Sequence, residues 1–201
     1  MTDPGLRAES FRWLDQWRQF PGTPPGHVPQ RFRDPPAHSR SFPMELHSTA
    51  FVDGEFLPTM HAARHGNQSP PLNWTTPPHG TRELAIICDD PDAHSSSPWI
   101  HWVISGISPE VLGLPAGIPP IPEQQTPFRF CQGRNSWREG QTLGYRGPQP
   151  PPGDPPHRYR FRLFASDRPL GLPPGIDAPT LAAQLDGHIL STATLTALFA
   201  P

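Results

Sequence analysis

Residues 84–104 read LAIICDDPDAHSSSPWIHWVI, and this stretch gives the strongest structural signal in the chain. The apolar run Leu84–Cys88, followed by acidic residues, is typical of a central strand buried on both faces. Residues 99–105 predict a second strand. Strict alternation would place the side chains of this second strand on two faces, with Trp99, His101 and Val103 on one and Ile100, Trp102 and Ile104 on the other.

Two carboxylates and a histidine lie near one end of these predicted strands. Asp90 and Asp92 flank Pro91 directly after the buried run, and His101 lies on the next strand. An Asp-Pro-Asp segment alone indicates a tight turn in which an aspartate side chain caps the strand end. Paired carboxylates also occur in glycosidases, aspartic proteases and metal sites, so a divalent metal held by the two aspartates, His101 and His157 stays open.

A second informative stretch, residues 144–165, reads GYRGPQPPPGDPPHRYRFRLFA. Its proline- and glycine-rich half predicts a stiff loop that holds backbone groups in place at little cost in entropy. From residue 157 the pattern alternates, so His157 and Tyr159 face the core at the start of a strand. The alternate positions of the same strand predict a solvated face, which carries Arg158, Arg160 and Arg162. Two histidines, each beside a strand-end turn, indicate one small polar pocket.

Composition restricts the class of protein. A chain of 201 residues fits one domain with a tail, and 34% apolar residues with 17 Gly and 32 Pro indicate long loops. A formal charge of −2 gives no field that would recruit nucleic acid. The sequence has neither a run of about 18 apolar residues nor a secretory signal, so we expect no membrane span and a cytoplasmic location. Cys88 and Cys131 are then predicted to be free thiols.

The chain divides into two predicted parts. Residues 1–41 form an N-terminal extension, with a short helix over residues 5–20 and a proline-rich linker over residues 21–36. Residues 42–201 form a strand-rich domain. Because the linker has no apolar periodicity, we expect the extension to be dispensable for the fold of the domain.

One good helix is predicted near the C-terminus. Asp177 is a plausible N-cap, and an apolar stripe at every fourth position predicts a helix over residues 178–190. Residues 193–199 predict either a strand or more helix. No nucleophile motif of the GxSxG type and no phosphate-binding glycine loop is present, and Ser95–Ser97 are interpreted as a solvated turn.

Taken together, these segments resemble the phosphatidylethanolamine-binding protein family, in its bacterial Raf-kinase-inhibitor-like branch. The resemblance covers roughly residues 42–199 and depends on four segments in order: residues 66–74, 89–103, 144–159 and 187–190. It implies a mainly β, α+β fold, in which a large antiparallel sheet accompanies a smaller sheet and peripheral helices. It also implies a ligand pocket formed by Asp90, Asp92, His101, Pro150, Pro151, His157 and Tyr159.

Our leading hypothesis is a non-enzymatic binding protein without catalytic residues, metal or cofactor. Its ligand would be a small anion or zwitterion, such as phosphate or a phosphoethanolamine head group, and a homodimer and a regulated protein partner are further expectations. A hydrolase using the Asp/His cluster, or a kinase or protease inhibitor, stays open as an alternative. His94 replaces the proline usual in the family. If His101 and His157 both gain charge between pH 7.5 and 5.5, anions should bind more tightly at the lower pH.

Overall fold

The computed structural model describes residues 43–201, so the predicted N-terminal helix, its linker and the boundary after residue 41 lie outside the described residues. Within this part of the chain, nine strands dominate: β1 (Leu46–His47), β2 (Leu72–Trp74), β3 (Glu83–Asp90), β4 (Trp99–Ile107), β5 (Gly113–Leu114), β6 (Glu123–Gln124), β7 (Phe130–Gln132), β8 (His157–Ser166) and β9 (Ile189–Phe199). A 3-10 helix spans Thr59–His61, and the α-helix α1 spans Ala178–Leu185.

The strands form two antiparallel sheets. The larger one has the order β6-β7-β4-β3-β8-β9, and the smaller one has the order β1-β2-β5. This arrangement confirms the predicted fold class. All eight residues of the central strand β3 are buried, as the apolar run predicts, and β4 and β8 flank it on either side. The end of β3 therefore lies beside the beginnings of β4 and β8.

Apolar side chains on the two faces of the large sheet form two separate cores. The core between the sheets includes Ile86, Trp102, Ile104, Phe161 and Leu163 from the large sheet and Leu72, Trp74 and Leu114 from the small one. The core under the helix includes Ala85, Ile87, Ile100, Val103 and Phe164, with Leu181, Ala182 and Leu185 from α1. Strand β3 contributes to both cores, which is why its sequence is continuously apolar.

Helix α1 begins as predicted but ends earlier. The Asp177 carboxylate accepts a hydrogen bond from the first turn of the helix, 2.9 Å from the backbone nitrogen, which confirms the N-cap. The last helical residue is Leu185, whereas the apolar stripe predicted a helix reaching residue 190. Gly187 has φ +77°, a left-handed conformation that terminates helices. Residues 193–199 belong to β9, so the strand alternative is confirmed.

Strand β4 departs from strict alternation at His101. Asp89 of β3 pairs with Ile100, and the residue before Asp89 pairs with Trp102, so His101 is the extra residue of a β-bulge. The bulge puts Ile100 in the same core as Val103, and not with Trp102 as alternation predicted. The predicted division of faces is therefore wrong at Ile100, and the bulge directs the His101 ring toward β8.

The arginine row of β8 does not face solvent uniformly. Arg160 binds Asp89 through two hydrogen bonds of 2.7 and 2.9 Å, and Arg162 is buried with its Nε 3.7 Å from the same carboxylate. Arg158 alone fits the prediction of a solvated side chain, and it pairs with the partly exposed Asp92. The prediction is wrong for Arg162 because the fully buried Asp89 requires nearby cations.

Both cysteines are free, as predicted, and both are buried. Burial raises the pKa of the Cys88 thiol well above its ordinary value, and it also raises the pKa of Cys131. Neither side chain is therefore suited to act as a thiolate nucleophile.

The buried Asp89 should contribute far more to stability than the neighbouring Asp92. We expect Asp89→Asn to lower the free energy of unfolding by about 3 kcal/mol, because it leaves two arginines beside a neutral buried group. Asp92→Asn, its matched control in a solvent-exposed pair, should cost about 1 kcal/mol or less. Urea unfolding at neutral pH measures both, and equal losses would contradict the assignment.

The domain should fold without residues 1–36. Within residues 43–201, the two cores already draw on both sheets and on α1. A truncated protein that begins near Phe42 should therefore retain a single cooperative thermal transition by circular dichroism. A broad, non-cooperative transition would show that the N-terminal extension contributes to the core.

Candidate functional site

A pocket of about 240 Å³ opens where the end of β3 meets the beginnings of β4 and β8. Its lining consists of Asp90, Ala93, His94, Ser95, Trp99, His101, Trp137, Gln149, Pro150, Pro151, His157 and Tyr159. Six of the seven predicted ligand residues lie in this lining, and Asp92 does not. The antiparallel register explains the convergence, because Asp90 lies opposite Trp99 while its neighbour Asp89 lies opposite Arg160.

The Asp90–His157 contact lies at the floor of this pocket. His157 Nδ1 is 2.8 Å from Asp90 Oδ2, and both side chains are almost completely buried. The other carboxylate oxygen of Asp90 accepts a hydrogen bond of 2.9 Å from the backbone N–H of Asp92. This is the tight aspartate turn that the Asp-Pro-Asp segment indicates, and it fixes the orientation of Asp90 toward the histidine.

A second carboxylate, Asp154, approaches the other side of the His157 ring. Its Oδ2 is 3.2 Å from His157 Nε2 and 3.3 Å from His94 Nε2. An ionised carboxylate only accepts hydrogen bonds, so two such partners favour the doubly protonated imidazolium. Burial opposes that charge, but the hydrogen bonds and negative charges of Asp90 and Asp154 outweigh it and raise the pKa of His157.

His101 has the opposite electrostatic environment. Its Nδ1–H donates a hydrogen bond of 2.6 Å to the carbonyl oxygen of Arg146. Its ring packs edge to face against Trp137 and Tyr159. Burial lowers the pKa of His101 to about 4, against the smaller raising effects of the Arg146 carbonyl and Asp90. His101 is therefore neutral near pH 7, with its proton on Nδ1 and an acceptor lone pair on Nε2.

Tyr159 supplies a hydroxyl to the same cluster. Its side chain is buried, and burial followed by the negative charge of Asp90 raises its pKa far above the ordinary value. The phenol therefore stays protonated at every physiological pH and can donate a hydrogen bond. Of the side chains considered so far, only His157 brings a positive charge to the pocket floor.

The proline-rich loop is held against the domain by groups outside the pocket. Gly147 N–H donates to Asn67 Oδ1 at 2.8 Å, and Tyr145 Oη donates to the His61 carbonyl at 2.9 Å. A Cβ on Gly147 would collide with that same carbonyl, so only glycine fits there. Asn67 has φ 49°, which asparagine tolerates better than most residues. These contacts fix the loop segment that carries Pro150 and Pro151.

Asp92 points away from the pocket. Its carboxylate receives two hydrogen bonds from the Arg158 guanidinium and one from the Arg158 backbone N–H, at 2.6 to 2.9 Å. The hydrogen bond with the Arg158 side chain lowers the pKa of Asp92. The structure therefore gives Asp92 a supporting role, in which its backbone orients Asp90 and its side chain ties β8 to the turn.

The metal hypothesis finds no support in this geometry. The four proposed ligands do not share a centre, because the Asp92 carboxylate binds Arg158 and is not part of the pocket lining. Over residues 43–201, no group of three or more His, Cys, Asp or Glu side chains is arranged to hold a metal ion. The same part of the chain contains no helix that is both long and apolar enough to cross a bilayer.

Sequence reasoning missed three contributors to the site. Asp154 stands three residues before His157, and an acidic residue enclosed by prolines in a stiff loop was the available signal. His94 was singled out only as a departure from the family pattern. Trp137 comes from a distant loop that has no periodic signal, so its place beside His101 depends on the tertiary fold alone.

Comparison with known proteins assigns the family. The sequence model of the phosphatidylethanolamine-binding protein matches residues 47–200, which contain every residue of the two sheets except Leu46 and every residue of the pocket. The chain belongs to the phosphatidylethanolamine-binding protein family. This assignment supports a binding-protein function and agrees with the resemblance carried by the two histidine-containing segments.

Relatives from archaea and bacteria cover most of the domain. The UPF0098 protein of Methanothermobacter thermautotrophicus is 42% identical over 156 residues, which are 78% of this chain and 98% of that protein. The crystal structure of the homologue CT736 from Chlamydia trachomatis is 32% identical with a TM-score of 0.69, and that of Escherichia coli YbcL is 29% identical with a TM-score of 0.72. Each of these two crystal structures matches 79% of this chain over 98% of its own length.

The two pocket histidines of this family member should titrate far apart. By NMR of the ring nitrogens, we expect His101 to stay neutral down to about pH 4, and His157 to stay charged above the ordinary histidine value of about 6.5. Asp90→Asn should lower the pKa of His157, because it removes the nearest carboxylate. Asp167→Asn, at a surface aspartate paired with His188, is the control. Coincident titration of His101 and His157 would contradict the assignment.

Proposed function

We propose that the pocket binds a small phosphorylated ligand that also carries an amine, as phosphoethanolamine does, and that the protein acts as a non-enzymatic binding protein. The observation that carries this proposal is the imidazole of His157 held between Asp90 and Asp154 inside a pocket of this family. A charged His157 is a hydrogen-bond donor with a full positive charge at the pocket floor, which suits a phosphate oxygen.

The distribution of charge favours a zwitterion over a simple anion. Two carboxylates and one imidazolium surround the floor, so negative charge is in excess there. A phosphate dianion would meet Asp90 as a like charge, whereas an amine attached to the phosphate offsets that repulsion. The indole rings of Trp99 and Trp137 line the same pocket, and aromatic faces attract cations. The Arg146 guanidinium already lies over the Trp137 ring, 4.6 Å from its centroid, so Trp99 is the better candidate for an ammonium contact.

The hydrolase alternative receives no support from the contacts of the two histidines. His101 binds a backbone carbonyl, and His157 binds two carboxylates, whereas a histidine that activates a nucleophile hydrogen-bonds to a hydroxyl or thiol. The low pKa of His101 and the double pairing of His157 both fit a binding site. The homodimer, the regulated protein partner and the cytoplasmic location stay predictions.

Calorimetry with paired ligands tests the proposal. At pH 6.5 we expect O-phosphoethanolamine to bind more tightly than inorganic phosphate, and ethanolamine alone to bind more weakly than either. His157→Ala should weaken phosphoethanolamine binding about tenfold or more, because a hydrogen bond to a charged group contributes about 1.5–3 kcal/mol. His188→Ala, at a partly exposed histidine paired with Asp167, is the matched control and should change nothing. Equal affinity for phosphate and phosphoethanolamine would contradict the zwitterion assignment.

Of His101 and His157, only His157 should contribute to the pH dependence of binding. Because its pKa is raised, the charge that attracts the anion is present at low pH and is lost as the pH rises through that value. His101 adds no charge above about pH 4, so the expectation that both histidines respond between pH 7.5 and 5.5 is revised. Sulfate, whose charge is constant over this range, is the probe. Co-sedimentation with phosphatidylethanolamine vesicles distinguishes a lipid head group from a free small molecule.

A further inference from the structure

The hydrogen-bond donor that an incoming anion needs is already occupied. His157 Nδ1 is held by Asp90, so Nε2 is the nitrogen left for a ligand, and Asp154 Oδ2 lies 3.2 Å from it. A carboxylate presents the same kind of oxygen that a phosphate or sulfate would present. An anion and Asp154 therefore seek the same N–H group.

The two carboxylates around His157 are not equivalent. Asp90 makes the short contact, 2.8 Å, is almost fully buried and is oriented by the backbone N–H of Asp92. Asp154 makes a 3.2 Å contact from a loop whose preceding residues, Pro151–Gly153, are exposed. Charge-assisted hydrogen bonds in strong pairs are about 2.7–2.9 Å long, so the Asp154 contact is the weaker of the two.

His94 is the second partner of Asp154. Its Nε2 lies 3.3 Å from the same Oδ2 atom, and its ring centroid is 6.3 Å from that of His157. The His94 side chain is 72% exposed, so solvent screens this contact and limits its strength. Asp154, whose own side chain is 17% exposed, thus bridges the turn after β3 and the ring of His157 through contacts of 3.3 and 3.2 Å, both longer than the Asp90 contact.

We infer that Asp154 is an internal competitor for the anion subsite: its carboxylate occupies His157 Nε2 in the unliganded protein and moves aside when an anion binds. The inference rests on the proposed function, because it assigns the anion to His157. It identifies Asp154 as a residue that sets affinity and selectivity. A phosphate or sulfate group displaces the Asp154 carboxylate from His157 Nε2.

The charged and titratable groups around His157 are Asp90 and Asp92 from the end of β3 and the turn after it, Asp154 and His94 from the two loops, and Tyr159 from its own strand. Loss of the Asp154 charge lowers the pKa of His157, and a neutral His157 would bind anions more weakly. The test is therefore run at pH 5.5, below the ordinary histidine pKa of about 6.5, which favours a charged His157 in both proteins. The ring nitrogen shifts of His157 verify this in each variant.

Sulfate calorimetry at pH 5.5 on the full chain tests the inference. Asp154→Asn should tighten sulfate binding about fivefold, which is the scale of one partly exposed ion pair. The matched control is Asp167→Asn, which removes the same charge from another aspartate–histidine pair, 2.9 Å apart, and should stay within twofold of the native protein. No change or weaker binding in Asp154→Asn would overturn the inference, and so would equal tightening in both variants.

The outcomes separate this inference from the proposed function. Native sulfate binding that His157→Ala abolishes, without tightening in Asp154→Asn, would leave the anion site standing and remove only the competitor. Absence of sulfate binding in the native protein and in Asp154→Asn would overturn both. A crystal structure with sulfate gives the second readout: an oxygen bound to His157 Nε2 with Asp154 displaced is expected, and Asp154 still in place on that nitrogen would overturn the inference.

Discussion

The structure depends on pairing two consecutive buried carboxylates with cations from one neighbouring strand. Asp89 and Asp90 both lie in the fully buried β3, and alternation points them to opposite faces of the sheet. Strand β8 alternates in step with β3, so it offers Arg160 to Asp89 and His157 to Asp90. An unpaired buried carboxylate is strongly destabilising. This pairing therefore favours one register between the two strands and fixes the position of the pocket.

The two pocket histidines show how environment separates identical side chains. His157 lies between carboxylates and keeps its proton, whereas His101 lies between aromatic rings and a carbonyl and loses it. The β-bulge in β4 is what brings His101 to this place, because strict alternation would have aimed its ring elsewhere. The pocket consequently holds one fixed positive charge beside one neutral acceptor, and these two groups recognise different parts of a ligand.

Much of this arrangement could be predicted from local sequence. The apolar run of β3, the alternation of β8 and the Asp177 cap follow directly from residue patterns. The bulge at His101 could not be predicted, because a single extra residue leaves no trace in the hydrophobic pattern. The contact partners of Asp92 and Asp154 could not be predicted either, since a carboxylate in a turn is equally able to face a ligand, a histidine or an arginine. Those choices depend on partners that only the folded chain brings near.

The site combines two requirements that oppose each other. Carboxylates are needed to keep a buried histidine charged, yet the same carboxylates repel the anion that this charge would attract. The geometry divides the two tasks. Asp90 is buried, lies 2.8 Å from His157 Nδ1 and is fixed by a backbone hydrogen bond. It therefore keeps His157 charged whether or not a ligand is present. The Asp154 contact with His157 is longer, at 3.2 Å, and the preceding loop residues are exposed, so an anion can displace this carboxylate. Binding then exchanges one carboxylate for another anion, and its free energy is the difference between two similar contacts. Such a site favours ligands that bring an additional amine contact over ligands that bring negative charge alone.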